Sequence, residues 1–75
     1  MVIIYSQPLC NPCTQTKKFL DRNEIEYEDF DVTMDPKAYE KIVELGYRST
    51  PVILTESGEH WAGFDLNKMK ELSAK

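Results

Sequence analysis

The chain has 75 residues, enough for one domain and near the lower limit for a core that holds without staples or metals. Apolar residues make up 41% and charged residues 29%, a balance that argues against a disordered chain. The net charge of −4, with no basic cluster beyond Lys17-Lys18, argues against nucleic acid as a partner, and no apolar run reaches the length of a membrane span.

Val2 to Tyr5 is a short apolar run, read as a strand buried on both faces. It is too short for the apolar region of a signal peptide and no basic stretch precedes it, so the expected compartment is the cytosol. Cys10-Asn11-Pro12 then opens a helix, since a proline in a first turn has no N–H to leave unpaired. Cys13, Thr16, Phe19 and Leu20 follow at spacings of three and four, and the helix is expected to end near Asn23. Glu26 to Val32 is the next strand. Its alternation is imperfect, because Ile25 and Tyr27 are out of phase with Phe30 and Val32, and its charges suit an edge. Asp35-Pro36 is a helix start, with an N-cap and then proline at the first position. Ala38, Ile42 and Leu45 form that helix's apolar stripe, and Gly46 is its left-handed stop.

Val52-Ile53-Leu54 is a strand, Glu56-Ser57-Gly58-Glu59 a hairpin turn, and His60 to Phe64 the returning strand. Asp65 caps a last helix with Leu66, Met69 and Leu72 on its inner face. The opening strand–helix–strand predicts a parallel pair with a right-handed crossover, and the closing hairpin adds antiparallel strands. The expected fold is therefore α/β, a single domain over residues 1–75 in the order β-α-β-α-β-β-α, with a four-stranded mixed sheet and three helices.

The chemistry rests on Cys10-Asn11-Pro12-Cys13 at a strand-to-helix junction. A spacing of three at a helix start brings the two sulfurs together, the first at the positive end of the helix dipole and the second inside the first turn. A helix N-terminus stabilises a nearby anion by up to ~2 kcal/mol, against about 1.4 kcal/mol per pKa unit, so the Cys10 thiol is expected well below the range of a free cysteine. Such a thiolate attacks a disulfide, and the second cysteine resolves the mixed disulfide. Cys10 precedes the helix and is expected to be the attacking group, with Cys13 resolving.

Three other readings compete. A structural disulfide would close a loop so short that it removes little chain entropy, and a reducing compartment opposes a strained one. A zinc site needs four ligands, and beyond the cysteines only His60 is a usual strong one. Inert buried thiols would sit poorly on a solvent-facing turn beside Pro8. A Cys-x-x-Cys beside a β-α-β pattern favours redox chemistry.

Other residues are open to bland and functional readings alike. Thr50-Pro51 stands between a loop and an apolar strand, where an ordinary trans proline is the default. Trp61 is either partner-facing or a half-buried strand residue. His60 is expected at the strand surface, Lys17 over a helix face, and Tyr5 in the core.

The whole chain resembles the glutaredoxin-like redoxins called NrdH, electron donors to ribonucleotide reductase. The likeness lies in Ile4-Tyr5-Ser6, in the Cys-x-x-Cys followed by Thr16-Lys17-Lys18, in Gly46-Tyr47-Arg48-Ser49-Thr50-Pro51-Val52, and in Gly58-Glu59-His60-Trp61-Ala62-Gly63-Phe64. The family's late motif is Trp-Ser-Gly-Phe-Arg-Pro. Trp61, Gly63 and Phe64 match it, whereas Ala62, Asp65 and Leu66 do not. Between the cysteines, Asn11-Pro12 echoes the Gly-Pro of thioredoxin.

The resemblance implies a thioredoxin fold, a cis Thr50–Pro51 bond beside the cysteines, and reduction of protein disulfides with no cofactor beyond the Cys10–Cys13 pair. It implies electrons from thioredoxin reductase and delivery to ribonucleotide reductase, and the chain is expected to be a monomer. It also assigns Asn11, Pro12, Thr50, Pro51, Trp61, Gly63 and Phe64 to substrate or partner contact. Glutaredoxins hold glutathione partly by charge, through a Lys before the active site and an Asp after a late Gly-Gly pair. By resemblance those positions are Gln7 and Leu66, which offer no charge. The alternatives are a glutathione-dependent glutaredoxin and, from another class, a metal- or iron–sulfur-binding dimer using Cys10 and Cys13.

Overall fold

A computed structural model describes residues 1–73. Its elements run β1 (Val2–Ser6), α1 (Asn11–Arg22), β2 (Tyr27–Asp31), α2 (Pro36–Glu44), β3 (Val52–Leu54), β4 (His60–Ala62) and α3 (Leu66–Ser73). The four strands form one sheet in the order β2-β1-β3-β4. β1 and β2 are parallel, with Tyr5 opposite Phe30, and the other two pairings are antiparallel. This is the mixed sheet with three helices that the sequence predicts, with β2 at an edge.

The period of two along each strand sorts side chains onto opposite faces. Val2, Ile4, Ile53 and Trp61 face one way and pack with Leu20 of α1 and Met69 of α3. Tyr5 and Val52 face the other way and pack with Val32 and with Ala38 and Ile42 of α2. Both sheet faces are thus covered by helices. That explains the broken alternation around β2: Ile25 and Tyr27 join the first cluster, while Phe30 and Val32 join the second.

Helix ends follow local chemistry. The Asp35 carboxylate accepts from the N–H groups of Lys37 at 3.0 Å and Ala38 at 3.3 Å, satisfying two orphan donors of α2. Gly46, at φ +97°, ends that helix, and Tyr47 N–H donates back to Ile42 O at 2.8 Å. α1 ends likewise at Glu24 (φ +54°), with Ile25 N–H donating to Leu20 O at 2.9 Å.

Two expectations are corrected. The last strand stops at Ala62 rather than Phe64, because Gly63 adopts φ +83° and turns the chain out of the sheet. Leu66 does not face inward. It is 45% exposed at the first residue of α3, and Met69 and Leu72 alone carry the apolar stripe. Asp65 does cap that helix, accepting from Lys68 N–H at 3.2 Å.

Candidate active site

Cys10 is the N-cap of α1, with extended backbone at φ −114° and ψ 102°. Pro12 follows within the first turn, where its missing N–H costs nothing. Cys10 and Cys13 are joined as a disulfide with their Cα atoms 5.2 Å apart. The Cys13 N–H points at Cys10 Sγ from 3.2 Å, so an otherwise orphaned donor of the helix serves the outer sulfur. The two sulfurs differ in access: Cys13 is 2% exposed, whereas Cys10 is half-buried.

The second wall comes from the loop before β3. Thr50–Pro51 is cis, as the resemblance implies. Thr50 Oγ1 lies 3.6 Å from Cys10 Sγ and can donate to it, and the Thr50 carbonyl oxygen lies 3.8 Å from the same sulfur. Gly63 N–H donates to Pro51 O at 2.8 Å, which holds the start of the 63–65 segment against this loop. Phe64 follows at 37% exposure. Asn11 and Pro12 are exposed on the helix's first turn. The arrangement offers a sulfur anion one backbone N–H, one hydroxyl and a helix N-terminus, all of which favour the charged form.

Not every residue singled out in the sequence reaches this face. Trp61 is 7% exposed and packed in the core against α1 and α3, so its ring is not a free contact surface. Its indole N–H has no hydrogen-bond partner among the described residues, and Lys68 Nζ stands 5.6 Å from the ring centroid, within cation–π range. His60 pairs with Leu54, at the end of β3 away from Pro51. There its Nδ1 lies 2.8 Å from the Tyr47 hydroxyl. Lys17 is engaged with Asp29 at 2.7 Å, and Asp29 in turn accepts from Ser6 Oγ at 2.6 Å. Tyr5 is a core residue stacked on Phe30, and burial, then the charge of Asp35, pushes its phenol up.

Among the described residues no three His, Cys, Asp or Glu side chains gather as a metal site. Sequence reasoning missed the Tyr47–His60 pair and the Ser6–Asp29–Lys17 chain, which join residues distant in sequence. It also missed the backbone of Leu9, which has φ +58°. The one available signal for that was Pro8, a residue that favours a turn.

Residues 2–61 match the glutaredoxin family model. The chain is 33% identical over 73 residues to the glutaredoxin-like protein NrdH of Lactococcus lactis subsp. lactis, covering 97% of this chain and 100% of that one. Among solved structures it resembles the thioredoxin-like protein BC3987, with TM-score 0.89 and 37% identity over 96% of this chain and 99% of that one. It also resembles the NrdH-redoxin of Escherichia coli, described as glutaredoxin-like with a thioredoxin-like activity profile, with TM-score 0.88 and 27% identity over 95% and 92% of the two chains.

Proposed function

Since the chain belongs to the glutaredoxin family and is a thiol–disulfide oxidoreductase of NrdH type, we propose that it reduces disulfides of protein partners through Cys10. The observation that carries this reading is the asymmetry of the pair. Cys10 Sγ is partly open and faces the Cys13 N–H and the Thr50 hydroxyl, while Cys13 is 2% exposed beneath it.

In the reduced protein the Cys10 thiolate attacks one sulfur of the target disulfide. The target S–S bond breaks, its other sulfur leaves as a thiolate and takes a proton, and a Cys10–target disulfide forms. The Cys13 thiol then loses its proton and attacks Cys10 Sγ, releasing the second target sulfur as a thiol. Two electrons pass to the target and the Cys10–Cys13 disulfide is restored. No cofactor beyond that disulfide takes part.

Thioredoxin reductase is the proposed electron source and ribonucleotide reductase the proposed acceptor, with the protein acting as a cytoplasmic monomer. The thioredoxin-like profile of the Escherichia coli relative and the uncharged Gln7 and Leu66 support this choice over glutathione. No described helix is long and apolar enough to cross a membrane. The test measures NADPH consumption with a disulfide substrate, once with thioredoxin reductase and once with glutathione and its reductase. Faster turnover with thioredoxin reductase is expected, and a clear preference for glutathione makes the protein a true glutaredoxin instead.

A further inference from the structure

Between β1 and α1 the chain makes a turn through Pro8 and Leu9, and Leu9 there has φ +58° and is fully exposed. Each property disfavours leucine. In the left-handed region Cβ crowds the following carbonyl, so such positions usually hold glycine, asparagine or aspartate. An isobutyl group wholly in water gains nothing from packing.

Glu24 shows what ordinarily offsets this conformation. It has φ +54°, but it ends a helix and is flanked by backbone hydrogen bonds that close the helix end. Among the described residues, no turn or loop backbone hydrogen bond involves Leu9. The turn alone would be served better by asparagine or glycine. An isolated exposed leucine is ordinary, but one that is also held left-handed beside the reactive cysteine calls for a function.

The surroundings narrow the function. The first charged side chain in the sequence is Lys17, although the whole chain has 13 acidic and 9 basic residues. Gln7, Pro8, Leu9, Asn11 and Pro12 are all exposed, so the side of the rim around Cys10 that Leu9 occupies is uncharged and partly apolar. Phe64 adds a second exposed apolar group next to Gly63, on the Thr50–Pro51 side. A charged segment docked on the Gln7–Pro12 side would lose hydration and find no partner charge among those residues, whereas an uncharged one would not.

We propose that Leu9 is a specificity-determining contact, which packs against an uncharged, apolar stretch flanking the disulfide that Cys10 attacks in a protein partner. This rests on the reading that the partner is a protein disulfide. Leu9 spends stability in the free protein on affinity for the partner.

The experiment compares wild type, Leu9→Asn, Leu9→Gly and Leu9→Met. Each reduced protein is mixed in single turnover with insulin, a protein disulfide, and with hydroxyethyl disulfide, which is too small to reach Leu9. Melting temperatures are measured alongside. Leu9→Asn is expected to melt several degrees higher and to react with hydroxyethyl disulfide within twofold of wild type. Its rate with insulin is expected to fall about tenfold, equivalent to ~1.4 kcal/mol. Leu9→Met is expected to keep most of the insulin rate. The inference is overturned if Leu9→Asn reacts with insulin at the wild-type rate, if it loses both substrates equally, or if it melts no higher. A wild-type protein that reacts with hydroxyethyl disulfide but not with insulin overturns the protein-disulfide reading instead.

Discussion

Introducing charge at Gln7 and Leu66 together is expected to give this protein the use of glutathione. Both sites accept charge without burying it: Gln7 is exposed, and Leu66 is 45% exposed. A charge-assisted hydrogen bond contributes ~1.5–3 kcal/mol against ~0.5–1.5 for a neutral one, so Gln7→Lys gains at most about 1 kcal/mol at an open site. Leu66→Asp supplies an acceptor where none exists, for a further ~1 kcal/mol after solvent screening. The same carboxylate falls in the first turn of α3, which holds no acidic residue, and there stabilises the helix by ~0.3–1 kcal/mol. The double variant should therefore bind glutathione roughly thirtyfold more tightly, at 1.4 kcal/mol per decade. The assay is kcat/KM for glutathione, followed as NADPH consumption with glutathione reductase and hydroxyethyl disulfide, beside the rate with thioredoxin reductase. Asp65 provides a control. Its carboxylate accepts from Lys68 N–H at 3.2 Å, so Asp65→Asn should retain the cap and leave glutathione turnover unchanged. A double variant that gains less than twofold, or a wild type already efficient with glutathione, would refute this account of donor choice.

Alkylation of the reduced protein should modify Cys10 well before Cys13, and Cys13→Ser should accumulate a mixed disulfide that Cys10→Ser does not form; faster alkylation of Cys13 would reverse the assignment. Asp35→Ala removes two capping bonds to α2 and should cost ~1 kcal/mol, lowering the melting temperature by about 4–8 °C, while Asp35→Asn should recover most of it. Thr33 hydroxyl and backbone donors hold the Asp31 carboxyl below the usual carboxylate range. Its folded pKa is depressed, so its stabilising contribution is present above the ordinary carboxylate pKa and is lost as pH falls through the folded value. Thr33→Val should shrink that acid-dependent loss in a denaturation series across pH, and an unchanged slope would count against the assignment.

Features set by neighbouring residues were legible in the sequence. Asp35-Pro36 and Gly46 bracket α2 because capping and the left-handed stop need only a few adjacent positions. The Cys-x-x-Cys at a strand-to-helix junction likewise needs only local geometry. Features set by what lies across the fold were not. The phase break between Tyr27 and Phe30 looks like a weak strand until helices on both faces make each half of it useful. Leu66 fits a helical stripe in spacing, but the stripe begins one turn later. Trp61 could face either way on a strand, and only the packing of α1 and α3 buries it. The conformation of Leu9 leaves no trace in hydrophobic pattern, since nothing in a leucine announces a positive φ.

The strand order leaves β2 and β4 with one unpaired side each, and the two are protected differently. β4 spans three residues, too few to template another chain for long. β2 spans five and carries Glu28 and Asp31 beside an Asp29 already paired with Lys17, so a second molecule approaching that edge meets carboxylates of its own kind. The colloidal behaviour of the protein therefore depends on pH through this strand. Near neutrality the repulsion keeps copies apart, and acid removes it from an edge whose backbone remains ready to pair. Asp31 keeps its charge further into acid than an unperturbed carboxylate, so its share of that edge protection persists to lower pH.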